Sequence, residues 1–179
     1  MKNIITSLII ILIITSNSFS QEQKEQKSKM LDFTSKTGII IKFEDYKLLN
    51  IKSTYGFAES KIRKVIAGNE VEYFYQISKS GKYDTKTASI AYEDLIEIQK
   101  ALSNLKIQSE KDISSTSDYL ENKFITDDGF KIGYYVSKEK IVWYMKLEKY
   151  GSDNTFFAKD YESIEVAFQA GKQKIEELR

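Results

Sequence analysis

With histidine and cysteine both absent, proton transfer and nucleophilic attack in this sequence fall to Asp, Glu, Lys, Tyr and Ser. There is no Ser-His-Asp triad, no thiolate nucleophile, and no imidazole or thiolate ligand for a metal. No G-x-x-x-x-G-K-[ST] or G-x-G-x-x-G stretch is present to cradle a phosphate. Adjacent carboxylates stand at Glu44-Asp45, Glu93-Asp94 and Glu176-Glu177. They are the residue type of a glycoside hydrolase, in which a carboxylic acid works with a carboxylate. Neighbours in sequence need not face each other in space, and the same pairs suit a solvated surface. Asp127-Asp128-Gly129 and Ser152-Asp153-Asn154 offer oxygen ligands. Neither has the spaced acids and closing Glu of a calcium loop, and turn chemistry accounts for both. No metal and no cofactor is expected.

Ser137-Lys138-Glu139-Lys140 fits S-x-x-K, and Lys36-Thr37-Gly38 fits K-T-G. Both are fragments of the penicillin-recognising serine enzymes. Here they occur in the wrong order, no S-D-N joins them, and Ser137 falls in a turn rather than on a helix. The pattern carries no reaction.

Recognition is the remaining chemistry. In "VEYFYQIS" (71–78), alternation sets Val71, Tyr73, Tyr75 and Ile77 on one face and Phe74 and Gln76 on the other. In "IVWYMKLE" (141–148), Ile141, Trp143, Met145 and Leu147 oppose Val142, Tyr144 and Lys146. Arg63, Val65 and Tyr135 on neighbouring strands share the outer face. The candidate ligand-binding set is therefore Arg63, Phe74, Tyr135, Tyr144 and Lys146, an aromatic and basic surface suited to a sugar or a base. The competing reading is that this face packs against another part of the chain, because exposed aromatic patches are uncommon without a partner.

These positions rest on a set of elements that occurs twice. At an offset of 70, Lys61-Ile62 meets Lys131-Ile132, and Lys79, Gly81 and Thr85 meet Lys149, Gly151 and Thr155. The apolar sets of the two alternating strands align at the same offset. A short strand follows each, at 85–90 and 155–159, and then a helix. Leu95, Ile98, Leu102 and Leu105 stripe the first helix. Tyr161, Ile164, Phe168, Gly171, Ile175 and Leu178 stripe the second, with Asp160 placed to cap it. "GIIIKF" (38–43) and "YLENKFIT" (119–126) precede these units as strands, and Asp-Gly at 128–129 marks a hairpin. Residues 44–60 carry no clear pattern. The expected fold class is α+β, with tandem ββββα repeats at about 38–108 and 119–178 and one helix packed per repeat. This order is similar to that of the Whirly and PUR families. The resemblance is one of topology and implies single-stranded nucleic-acid binding.

Residues 1–20 read as a secretory signal peptide. Lys2 supplies a positive start, Ile4–Thr15 an apolar run, and Ser18 and Ser20 the small residues before a cut. The run falls short of the about 20 apolar residues that span a bilayer, so no stable membrane insertion is expected after cleavage. Gln21 would open the mature chain. Residues 21–30 read as a disordered lead, and 31–179 as a single domain. Residues 1–20 contain one of the 27 basic side chains and none of the 26 acidic ones, so the mature chain is near neutral. That balance speaks against nucleic acid as a partner, since phosphate binders show a basic excess. The sequence leaves oligomeric state open. The expected function is an exported, non-enzymatic binding or interaction module for a protein or glycan. The alternatives are a small carboxylate-dependent glycan hydrolase and a single-stranded nucleic-acid binder.

Overall fold

The computed structural model describes residues 28–179. The expected signal peptide and residues 21–27 of the lead lie outside them. The elements run α1 (Lys29–Thr34), β1 (Ile41–Lys47), β2 (Ile51–Ser53), β3 (Gly56–Ala67), β4 (Glu70–Ser80), β5 (Thr85–Ala91), α2 (Tyr92–Asp112), β6 (Leu120–Ile125), β7 (Lys131–Ser137), β8 (Lys140–Lys146), β9 (Thr155–Phe157) and α3 (Tyr161–Leu178). The fold is α+β, with two antiparallel sheets ordered β1-β3-β4-β5, with β2 also on β3, and β6-β7-β8-β9. Among the described residues no helix is long and apolar enough to cross a membrane.

The first half differs from the expected four strands and a helix. The unassigned stretch 44–60 completes β1, forms the three-residue β2 and starts β3. Lys29 and Met30, expected in the lead, begin α1, whose cap Ser28 accepts from the Leu31 N–H at 3.2 Å. The hairpin at 127–129 is a three-residue loop. Only Gly129 has positive φ there (+85°), and its N–H donates to the Thr126 carbonyl at 2.9 Å. The two-residue turn with both φ values positive lies instead at Lys138 (50°) and Glu139 (60°).

The two meanders pair in the same register. Ile62 opposes Tyr75 and Ile66 opposes Val71; 70 residues on, Ile132 opposes Met145 and Val136 opposes Ile141. Thirteen residues separate Lys47 from Lys61, whereas five separate Ile125 from Lys131, and the difference houses the β2–β3 hairpin.

The helices do not stay on their own sheets. α2 leaves β5 and reaches across to β6 and β7, while α3 follows β9 and lies over β2, β3 and β4. One core results. Ile62, Tyr75, Ile77 and Ile90 of the first sheet join Ile132, Tyr134, Trp143, Met145 and Phe156 of the second, under Leu95, Ile98, Leu102, Ile164, Phe168 and Ile175. Val71, expected inside, is 41% exposed. It lies past the end of α3, where the Tyr73 hydroxyl donates to the Leu178 carbonyl at 2.6 Å.

Two contacts fix this exchange. The Tyr75 ring meets Phe168 edge-on, 5.3 Å between centroids, and lies against Gly171 so closely that a Cβ there would stand 2.9 Å from Cδ2. At the other crossing, Asp112 ends α2, where the helix dipole disfavours a carboxylate. It is held by the Tyr134 hydroxyl (2.6 Å), Asn122 Nδ2 (2.7 Å) and Gln108 Nε2 (2.9 Å). Donation from Tyr134 foremost keeps the Asp112 carboxyl below its usual range against the opposing effect of burial. Burial and the bond to Asp112 push the Tyr134 phenol up to about 12.

Gly171→Ala should therefore destabilise the protein by about 1–3 kcal/mol in urea melts, as overpacking does. A gain of the size helix propensity alone predicts, about 0.5–1 kcal/mol, would show that the contact yields. Asp112→Asn should cost about 1–3 kcal/mol by leaving donors unmatched. The folded-state pKa of Asp112 is depressed, so its contribution is present above the unfolded carboxylate value of about 3.9 and lost as pH falls below it. The variant should show a shallower loss of urea midpoint between about pH 5 and pH 2.5; an unchanged acid limb would remove Asp112 from that role.

Candidate functional site

With both inner faces consumed by the core, the outer faces decide what the molecule can present. On the first sheet, Asp45, Arg63, Phe74 and Ala91 form one cross-strand row. This face is covered by α1. Met30 and Phe33 pack on Val65, Phe74 and Ala91, and Gln76 Nε2 lies 3.4 Å from Met30 Sδ. Charges hold the cover in place. Lys29 Nζ meets Asp94 at 2.5 Å, the Lys29 N–H donates to Asp128 at 3.0 Å, and Lys36 Nζ meets Glu70 at 2.6 Å.

Phe74 therefore points outward as expected but is not open; it is 2% exposed. The residues that bury it come from the start of the described chain, where no cover was expected. Arg63 is also committed. Its Nε and Nη2 each reach an Asp45 oxygen at 2.7 Å, and Lys61 adds a third bond at 2.7 Å. The Arg63 guanidinium foremost holds the Asp45 carboxyl down to about 2.

The second sheet carries no such cover among the described residues. Its outer face has three rows: Glu121–Tyr135–Val142, Lys123–Gly133–Tyr144–Phe157 and Ile125–Lys131–Lys146–Thr155. Tyr144 stands in the middle row. It is 7% exposed, and its hydroxyl donates to Glu121, which also receives Lys123 Nζ at 2.7 Å. Burial raises the Glu121 carboxyl, but Lys123 and Tyr144 outweigh it and hold the group below its usual range. Tyr135 stands 6.4 Å from Tyr144 and meets Phe157 edge-on at 6.5 Å and 83°.

A groove of about 600 Å³ runs between this face and the β2–β3 turn, lined by Tyr55, Phe57, Lys79, Tyr135, Val142 and Phe157 among others. The turn is fastened there. Ser53 bridges to Ala158, Lys159 N–H donates to the Lys52 carbonyl at 3.0 Å, and Lys79 Nζ donates to the Thr155 carbonyl at 2.9 Å. Tyr55 is 98% exposed.

Of the five expected site residues, the structure sets Tyr135, Tyr144 and Lys146 on one face but only Tyr135 lines the groove and Tyr144 is buried, and it leaves Arg63 and Phe74 on the other sheet. Tyr55, Phe57 and Phe157 join the site unforeseen. The first two lie in the stretch that carried no pattern, where Gly56 is a turn signal on its own. Lys131 and Lys146 sit directly opposite each other, and neither is ion-paired among the described residues. Like charges in that position are destabilising.

The acidic pairs are otherwise employed. Glu44 and Asp45 pair with Lys42, Lys61, Lys64 and Arg63; Asp94 with Lys29; Glu176 and Glu177 with Lys172 and Lys174. Among the described residues no group of three or more acidic side chains could hold a metal ion. No protein-family model, curated protein or solved structure matches the chain.

Substitution by Ser separates the two faces. Phe74→Ser should cost about 3–5 kcal/mol in urea melts, close to Trp143→Ala, as buried aromatic truncations do. Tyr135→Ser should cost about 1 kcal/mol or less, as partly exposed positions do. Equal damage from Tyr135→Ser and Phe74→Ser would mean that the second face is core as well.

Proposed function

We propose that this chain is an exported, non-enzymatic binding module built from a duplicated ββββα unit, and that the outer face of its second sheet is the binding surface. The leader-like residues 1–20 support export, and the shared register at an offset of 70 supports duplication. One observation carries the binding assignment. At positions equivalent by that register, Val65 and Phe74 lie under α1, whereas Tyr135 lines an open groove with the buried Tyr144 ring 6.4 Å from it. The position held by Val65 is covered by a helix in one half, and its counterpart Tyr135 faces a groove in the other. The edge-on Tyr135–Phe157 pair makes the floor knobbed rather than flat, which suits inserted apolar side chains better than a stacked ring.

The test uses the mature chain against acidic and basic amphipathic peptides, neutral and acidic oligosaccharides, and oligodeoxythymidine. One class should bind, and the Tyr135→Ser/Phe157→Ser double variant should weaken it at least about tenfold, equivalent to about 1.4 kcal/mol, with the urea midpoint retained. Failure of every class to bind, binding indifferent to the double variant, or cleavage of an oligosaccharide would overturn the reading.

A further inference from the structure

The cover on the first sheet shows what kind of surface an outer face of this fold accepts. α1 brings two apolar side chains, Met30 and Phe33, onto Val65, Phe74 and Ala91. It also brings two lysines to an acidic rim. Lys36 meets Glu70 and Lys29 meets Asp94, while Glu72 and Glu93 line the same groove. Burial foremost, then repulsion by Glu93, raises the Glu72 carboxyl. A short amphipathic helix with a positive margin is thus matched to an apolar centre with a negative margin.

On the second sheet the centre is kept and the margin changes sign. By the offset of 70, Val65 and Phe74 become Tyr135 and Tyr144, Glu70 becomes Lys140, Glu72 becomes Val142 and Gln76 becomes Lys146. Lys61 is matched by Lys131, but Lys61 is paired with Asp45, whereas Lys131 stands opposite Lys146. The carboxylate on this face, Glu121, already serves Lys123 and Tyr144. An anion placed over Lys131 and Lys146 would relieve their mutual repulsion. The α1 segment of a second copy has the wrong sign for this surface, since Lys29 and Lys36 outnumber Asp32.

We infer that the outer face of the second sheet takes an acidic amphipathic helix of a partner polypeptide, its apolar side chains on Tyr135, Val142 and Phe157 and its carboxylates on Lys131, Lys140 and Lys146. The inference rests on the reading of this face as the binding surface. It follows the helix-in-groove mode of recognition, with apolar anchors for affinity and charge for the choice of partner.

Two synthetic helical peptides test it, one with Met and Phe on one face and Glu elsewhere, the other its twin with Lys for every Glu. By fluorescence polarisation, the acidic peptide should bind at least about tenfold tighter than its twin, a difference of about 1.4 kcal/mol, and weaken with added salt. Lys131→Glu/Lys146→Glu should reverse the preference, and Lys146→Glu alone should reduce it; circular dichroism confirms that each variant is folded. Equal affinity for the twins, or no binding of the acidic peptide, overturns the helix assignment. Saturation of this face by an oligosaccharide or oligonucleotide instead also overturns it but leaves the binding surface standing, whereas failure of every probe removes both.

Discussion

Everything in this molecule depends on two helices each lying on the other half's sheet, and the crossing rests on a missing side chain. α3 can settle on β3 and β4 because position 171 is glycine and admits the Tyr75 ring. That ring is then walled by Phe168, which in turn meets Phe130 from the second half at 6.3 Å. The exchange means that each sheet is buried by helices of both halves, since α2 also lies on β4 and β5 and Tyr161 of α3 packs on Trp143. In a chain without cysteine, one shared apolar core does the work that cross-links perform in disulfide-bonded domains. The polar ties at the helix ends, Tyr73 to Leu178 and Tyr134 to Asp112, satisfy groups that would otherwise be stranded where each helix leaves its sheet.

Consumption of both inner faces turns the outer faces into the variable part of the design. Alternation along a strand obliges every second side chain to point away from the core. The first half uses α1 to close that surface, tethered through Lys29 to both α2 and the 127–129 loop of the second half. The second half leaves its surface unhelixed and instead receives the β2–β3 hairpin along its β9 side. The excess residues of the first half thus wall a groove on the second, and a difference between the halves becomes a site shared by them.

The parts of this arrangement that could be read in sequence are those with a period. The stripe from Tyr161 to Leu178, the Asp160 cap and the placement of Trp143 inside all follow from spacing and are present in the structure. What could not be read has no period to show. α1 is six residues long and β2 three, too short for any repeat, and α1 follows a polar run that suggested disorder. Alternation placed Phe74 on the correct face, but only tertiary packing with Met30 and Phe33, over 40 residues earlier, determines that the face is closed. The crossing of the helices was equally invisible, since a helix stripe states that it is buried and not on which sheet.

Local rules are broken mainly along the outer side of the second sheet. The first half turns between β3 and β4 on Gly68-Asn69, where glycine takes the left-handed φ of +62° at little cost. Seventy residues on, the same turn holds Lys138 and Glu139, both left-handed without a glycine, a conformation that costs roughly 1–2 kcal/mol per residue. Lys140 and Val142 begin the strand that follows, and Lys146 ends it against Lys131. Sequences that fold well keep local choices consistent with the global structure, and departures gather where something other than stability is being served. In this chain a lysine pair with no ion partner among the described residues, a left-handed charged turn and the exposed Phe157 ring belong to the second sheet, while the first sheet has a helix on its outer face and a glycine in its turn. The cost and the openness belong to the same surface.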